Sequence, residues 1–403
     1  MNLNILFEKT AYISFIINLI SIFCLGYSDE TLQYANIIFG INMTFMLVSV
    51  FLHQNITINS LYFYFSCNFI WMLASILWSI NSENAIEKMF TITQLFIFAI
   101  VMYEFFKIRE NALSEILFAI FISGFVMSIY AVVYYSVNGV INSLLTGYRL
   151  GDEINQINVF GMYSGFASLI GFVEYFNKKK AFYIYASAFC SIIAISSGSV
   201  KALFILVMGF AYLLLSLYSK KNILKGIIVG TLIITIATSF MSQLNYSVLN
   251  RVDGIINIFT GSGTENTSAL LRFYMINVGW DYFCDRPFLG YGLDNFRNLL
   301  LLNMGFMTYS HNNFLEILVD LGLVGFINYY VLYFKLVKRF FSTKTNNITI
   351  KTIMMILIIN LVLDFGEVSY YNKITYVYLI LYYLAAEQLK RGDNIVKNLY
   401  KTA

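Results

Sequence analysis

Residues 113–137 read LSEILFAIFISGFVMSIYAVVYYSV, twenty-five positions with one charged side chain, Glu115. A run this long and apolar, with no polar residue at every second position, reads as a helix crossing lipid, because about 20 residues at helical rise span about 30 Å of hydrocarbon. Eleven similar runs lie to either side of it. With approximate cores at 11–27, 34–53, 60–80, 87–106, 157–176, 181–197, 201–218, 224–243, 313–334, 351–366 and 373–388, they predict about twelve transmembrane helices. None alternates as the strands of a membrane barrel would.

Composition agrees with the runs. Hydrophobic residues make up 59% of the 403, charged residues 12%, and the mean hydropathy is +0.70, so lipid is the main solvent of this all-α polytopic membrane protein. Lys and Arg then give an orientation, because they collect in cytoplasmic loops. With the N-terminus inside, 18 of the 26 cationic residues fall on the inner side. Lys88, Arg149, Lys201, Arg251, Arg272, Arg286, Arg297 and Lys373 remain outside. Both termini are therefore expected in the cytoplasm. The inner set is mostly Lys and the outer set mostly Arg, the residue suited to gripping phosphate or carboxylate with two parallel hydrogen bonds.

Several classes are excluded or disfavoured. The first run lacks a small-residue cleavage site and reads as an uncleaved span. Cys24, Cys67, Cys190 and Cys284 have no paired spacing, so neither a disulfide framework nor a thiolate metal site is indicated. A net charge of +4 is accounted for by topology and makes no case for nucleic acid. The expected outer face has no Asp-x-Asp pair to hold Mg²⁺ on a sugar diphosphate, and Asp281 with Asp285 is a weak substitute, so no metal or cofactor is expected. The Gly-Tyr-Gly at 290–292 lacks the pore helix of a potassium filter, since Pro287 interrupts that place.

The chain reads as one integral membrane domain, 1–403, with two long outer connections, at about 139–156 and 244–311. The second is the large extracytoplasmic loop, between spans nine and ten. After Arg251 and a GSGT turn at 261–264, Thr267 or Ser268 can cap a helix that must end before Pro287, the only proline. Arg272, Ile276 and Trp280 share one face of it, as suits a helix at the membrane interface. A second amphipathic piece, Asn295–Asn303, carries Arg297 above four leucines. The loop re-enters the membrane at Ser310, His311 and Asn312.

The ordered set Arg272, Trp280, Pro287, Gly290, Gly292, Phe296, His311 and Asn312, followed by an acidic residue and GLxG at Asp320–Gly325, resembles the C-terminal signature of the O-antigen polymerase and ligase family of bacterial envelope enzymes. Upstream, Arg149, Gly151 and Asn158 in YRLGDEINQINVFG are similar to that family's first outer arginine motif. In SSGSVKA, 196–202, Val200 takes the place where many members have Arg, and Lys201 follows. The resemblance spans roughly residues 145–330.

It implies a glycosyltransferase at the outer face of the bacterial plasma membrane. The donor would be a glycan on undecaprenyl diphosphate and the acceptor a sugar hydroxyl. The residue types fit that chemistry. A departing diphosphate gathers negative charge that fixed guanidinium groups stabilise, a role for Arg272 and Arg149, with Arg251 third. The acceptor hydroxyl must lose a proton, and His311 is the only outer side chain whose ordinary titration range suits a base near neutral pH. Asn312 would orient either the imidazole or the acceptor; Lys201 and Asn158 are further candidate binding residues. Each has a plainer alternative, since outer arginines also snorkel to lipid headgroups and a His at a helix start is often a comfortable interface residue. Glu316 and Asp320, on one stripe with Asn312, read either as counter-charges or as polar contacts inside the bundle. Asp152 and Glu153 either line the acceptor site or are solvated.

Two enzyme activities fit, a polymerase extending a lipid-linked chain and a ligase moving the finished chain to another acceptor. A flippase for lipid-linked oligosaccharide is the non-enzyme alternative, disfavoured because the cations sit in loops rather than along the spans. Besides membrane lipids, a chain-length regulator and a flippase are the expected partners, and no nucleic acid.

Overall fold

The computed structural model describes residues 3–53, 58–217, 267–343 and 345–402. Thirteen α-helices occupy the described residues, with no strand among them. They are α1 (Leu3–Leu25), α2 (Asp29–His53), α3 (Ser60–Ser75, continued by a 3₁₀ turn to Trp78), α4 (Ser82–Phe106), α5 (Ala112–Thr146), α6 (Ile157–Lys178) and α7 (Ala181–Ser196). The rest are α8 (Val200–Leu217), α9 (Thr267–Asp285), α10 (Phe296–Met304), α11 (Asn313–Ser342), α12 (Ile348–Leu363) and α13 (Lys373–Thr402).

Seven of these, α1 to α6 and α11, are long and apolar enough to cross a membrane. The expected spans at 181–197, 201–218 and 351–366 are the shorter apolar helices α7, α8 and α12. At 16 residues, α7 and α12 reach only about 24 Å at 1.5 Å per residue, short of the hydrocarbon thickness. The expected span at 373–388 is the apolar first half of α13. The expected ninth span, 224–243, and the turn at 261–264 lie outside the described residues.

Two compact units emerge. The first comprises residues 1–53, 109–263 and 345–359. Its central element is α6, whose residues 160–171 are buried without a break, as an interior helix must be. Small residues let its neighbours approach: a Cβ on Gly161 would stand 2.3 Å from the Ser197 hydroxyl and 2.9 Å from the Ala202 Cβ at the start of α8. Against α1, Tyr163 stacks on Phe23 at 3.8 Å. The 35-residue α5 breaks at Ser136, where φ is 64° and ψ 163°, so the expected span 113–137 stops where the regular helix does.

The second unit comprises residues 54–108, 264–344 and 360–403. Here α3 lies on α11, with the Tyr64 hydroxyl donating to the Tyr329 carbonyl at 2.9 Å and the Asn68 amide to Asn328 O at 3.1 Å. Helices α9, α10 and α11 share an apolar cluster of Met275, Tyr291, Phe296, Leu299, Leu300, Leu315 and Val319. This fixes the rotation of α9. Met275 and Gly279 face the cluster, while Ile276 and Trp280 are exposed and the Arg272 side chain is half-buried.

Candidate active site

Within the second unit the site is built around a broken helix. In α11, Gly322 has φ 66° and ψ −174°, a conformation essentially confined to glycine. A continuous helix would pair the amides of Leu323 and Val324 with the carbonyls of Val319 and Asp320. The break separates these four groups, and the strip 287–292 takes up all of them. Leu323 N–H donates to Pro287 O at 2.8 Å and Val324 N–H to Phe288 O at 3.4 Å, while Tyr291 and Gly292 N–H donate to Val319 O at 2.9 Å and Asp320 O at 2.8 Å. The indole of Trp71 donates to Leu321 O at 3.0 Å. These pairings satisfy groups whose loss, away from water, would each cost free energy. Such close docking leaves no room for a side chain at either glycine: a Cβ on Gly322 would sit 2.2 Å from Phe288 O, and one on Gly290 2.5 Å from Asp320 O. The Gly-Tyr-Gly is thus a docking strip for α11, and Arg286 lies over its Tyr291 ring at 4.6 Å.

The stripe of carboxylates on α11 resolves into backbone contacts. Asp320, 1% exposed, accepts from three successive amides at the start of α10: Asp294 at 3.0 Å, Asn295 at 3.0 Å and Phe296 at 2.7 Å. It caps that helix from a distance, satisfying donors the helix cannot satisfy itself. One turn earlier Glu316, also 1% exposed, accepts from Ser310 N–H at 2.8 Å. Of the two readings left open by the sequence, the polar contact inside the bundle describes both residues.

The cations beside them belong to Asp294. Its carboxylate meets Lys88 at 3.4 Å and also Arg297, and the Lys88 ammonium lies 3.7 Å above the centre of the Tyr371 ring. Burial, together with the negative charges of Glu316 and Asp294, pushes the Tyr371 hydroxyl well above the usual phenol range; it stays a neutral hydroxyl at physiological pH.

His311 stands at the mouth of α11. Its φ is 57°, a left-handed conformation uncommon for a side-chain-bearing residue, and its ring lies 4.2 Å from that of Tyr309. The residues on either side are pinned. The Ser310 hydroxyl donates to Asn312 O at 2.9 Å and accepts from Asn312 N–H at 3.1 Å. Asn312 caps α11, its Oδ1 accepting from Leu315 N–H at 3.1 Å, so that oxygen has a structural duty before any toward substrate. Asn313, fully buried, ties the helix start to the segment 364–370. Its amide nitrogen donates to the Tyr330 hydroxyl at 2.7 Å, its Oδ1 accepts from Ser369 and Tyr370 N–H at 2.9 and 3.0 Å, and its backbone N–H donates to Asp364 O at 2.8 Å.

In the first unit the structure gathers the other expected residues. Arg149 donates from Nε to Ser197 O at 3.0 Å and from a terminal nitrogen to Asn158 Oδ1 at 2.9 Å. Asn158 Oδ1 also accepts from the Ser199 hydroxyl at 3.2 Å. Arg149 and Asn158 thus meet at the 197–199 turn, and Lys201 follows two residues later in the first turn of α8. Arg251 lies outside the described residues. Glu153 pairs with the Tyr135 hydroxyl, which also accepts from Gly151 N–H at 3.1 Å.

Four residues of this architecture were not singled out by sequence as site residues: Lys88, Asp294, Asn313 and Tyr371. Asn313 follows directly on the recognised His-Asn pair, and Lys88 stood among the outer cations; Asp294 and Tyr371 carried no comparable signal. Among the described residues no three His, Cys, Asp or Glu side chains converge as metal ligands.

A family model described as O-antigen ligase matches residues 185–330. The match takes in Lys201, Arg251, Arg272, His311 and Asn312; Arg149 and Asn158 lie upstream of it. No curated protein matches the chain.

Proposed function

Since the match over residues 185–330 supports the O-antigen polymerase and ligase family, we propose that this multi-pass membrane protein is a polysaccharide polymerase. It transfers a glycan chain from undecaprenyl diphosphate to a sugar hydroxyl of another lipid-linked repeat unit, for capsule, O-antigen or exopolysaccharide. The observation that carries the reading is His311. An imidazole in a left-handed backbone conformation, worth about 1–3 kcal/mol of strain, is pinned on both sides at the start of a span, within the matched segment.

The chemistry follows from the residue types. The acceptor oxygen attacks the anomeric carbon and its proton passes to the His311 imidazole. The bond from that carbon to the diphosphate oxygen breaks, and the electron pair leaves with undecaprenyl diphosphate, stabilised by Arg272 and Arg149, with Arg251 third. A single displacement inverts the anomeric centre and needs no metal. The excess of Lys and Arg in the loops assigned inside supports a plasma-membrane orientation with both termini cytoplasmic and the chemistry outside. A flippase delivering the lipid-linked units and a chain-length regulator are the proposed partners.

The description of the matched family favours a second reading, transfer of the finished chain to a different acceptor. Purified protein reconstituted with lipid-linked repeat units alone separates the two. A ladder of lengthening lipid-linked glycans on a gel supports the polymerase, whereas product only on addition of a second acceptor makes it a ligase. Synthesis that persists in a chelator supports metal independence; loss restored by Mg²⁺ overturns it.

A further inference from the structure

Glu316 and Asp320 lie one turn apart on α11, and both accept from backbone amides. Asp320 holds the amides of residues 294–296, and Glu316 holds that of Ser310. Residues 294–310 therefore form an excursion that leaves α11, carries α10 and returns, with each end fastened by a carboxylate on the same helical stripe. The second fastening falls on the residue immediately before His311.

Backbone on the other side of His311 is already committed, because Asn312 caps α11 and shares a two-way contact with the Ser310 hydroxyl. With Ser310 N–H held at 2.8 Å by a fully buried carboxylate, residues 310 and 312 are both fixed, and the left-handed φ of residue 311 is what joins them. An acidic side chain inside a span is costly, and placing one against Ser310 points to precision of placement.

We infer that Glu316 is a positioning residue for His311: by holding the Ser310 amide it sets the direction in which the imidazole faces the acceptor hydroxyl. This rests on the reading of His311 as the base. It acts through geometry, so reach matters more than charge. Glu316→Gln keeps an oxygen at the same distance without the charge. Glu316→Asp keeps the charge but draws the carboxylate back by about 1.5 Å, one carbon–carbon bond, which takes the contact beyond hydrogen-bond distance.

The test compares both variants with wild type and His311→Ala, as full-length protein in lipid nanodiscs supplied with lipid-linked repeat units. A misplacement of about 1 Å costs up to about 100-fold in rate. Glu316→Asp should lose about 30-fold in kcat with KM changed by less than about twofold, and Glu316→Gln should stay within about threefold of wild type. A second readout needs no turnover. The chain has two histidines, so carbethoxylation of His311 can be followed by mass spectrometry with His53 as internal reference. The His311 rate should rise at least about threefold in Glu316→Asp, where the ring is released, and hold in Glu316→Gln. An inactive His311→Ala with Glu316→Asp as fast as wild type overturns the positioning role alone, as does Glu316→Gln proving the more damaging change. Turnover in His311→Ala removes the base, and the positioning role with it.

Discussion

At the scale of single residues, the carboxylate of Asp320 does work that no counter-ion could do, because it serves three successive amides of a helix start at once. Truncation would strand these donors away from water, at roughly 1–3 kcal/mol for each buried group left unpaired. Asp320→Ala should destabilise the protein by about 3 kcal/mol or more, whereas Asp320→Asn retains Oδ1 for Asn295 and Phe296 and should cost about 1 kcal/mol. Thermal unfolding in detergent, followed by intrinsic fluorescence, measures both; equal effects would mean that the negative charge rather than amide capping is what matters. The identity of this partner was not legible in the sequence. Asp320 announced itself as a charge in a span, but which amides approach a buried carboxylate is decided by a chain segment about 25 residues away. His311 and Asn312 were legible because their spacing and order are local.

At the scale of elements, the break in α11 governs its surroundings. Gly322→Ala should destabilise by about 3 kcal/mol or more, since the backbone conformation excludes a side chain and the added carbon would lie 2.2 Å from the Phe288 carbonyl. Yield and thermal stability of the purified variant check this, and a variant as stable as wild type would mean that α11 can close into a continuous helix. Much of the secondary structure could be read in advance. The helix expected from Thr267 or Ser268 to before Pro287 is α9, Thr267–Asp285, and the amphipathic piece expected at Asn295–Asn303 is α10, Phe296–Met304. Proline and amphipathic spacing are local signals with local effects. The break at Gly322, and the helical stretch of α5 beyond Ser136, were hidden, because an apolar run looks the same whether or not its helix is interrupted. Only the docked strip 287–292 explains why the interruption is stable.

At the scale of the whole molecule, the expected topology is testable with a cysteine already in the chain. Cys284, at the end of α9, is exposed, while Cys190 is buried and Cys24 and Cys67 are partly covered inside helices. In spheroplasts a membrane-impermeant maleimide should label Cys284 rapidly and without permeabilisation; labelling only after lysis would invert the orientation. The apolar runs made the membrane class legible throughout, since hydropathy reports the solvent of a segment directly. Their number was less so, because helices such as α7 and α12 are apolar yet only 16 residues long, and hydropathy alone does not separate a short buried helix from a span.

The pairing of α11 with the strip 287–292 also constrains how the protein is made. Neither partner can rest in lipid by itself, because each would carry bare amides and carbonyls into hydrocarbon at several kcal/mol apiece. Residues 287–292 leave the ribosome before Leu323, so the strip must wait, hydrated or shielded by the insertion machinery, until the second half of α11 has emerged. Stable insertion of the second half of α11 is therefore expected to be a late event, completed only when the strip docks on it, unlike the one-helix-at-a-time partitioning open to the uninterrupted spans that precede it.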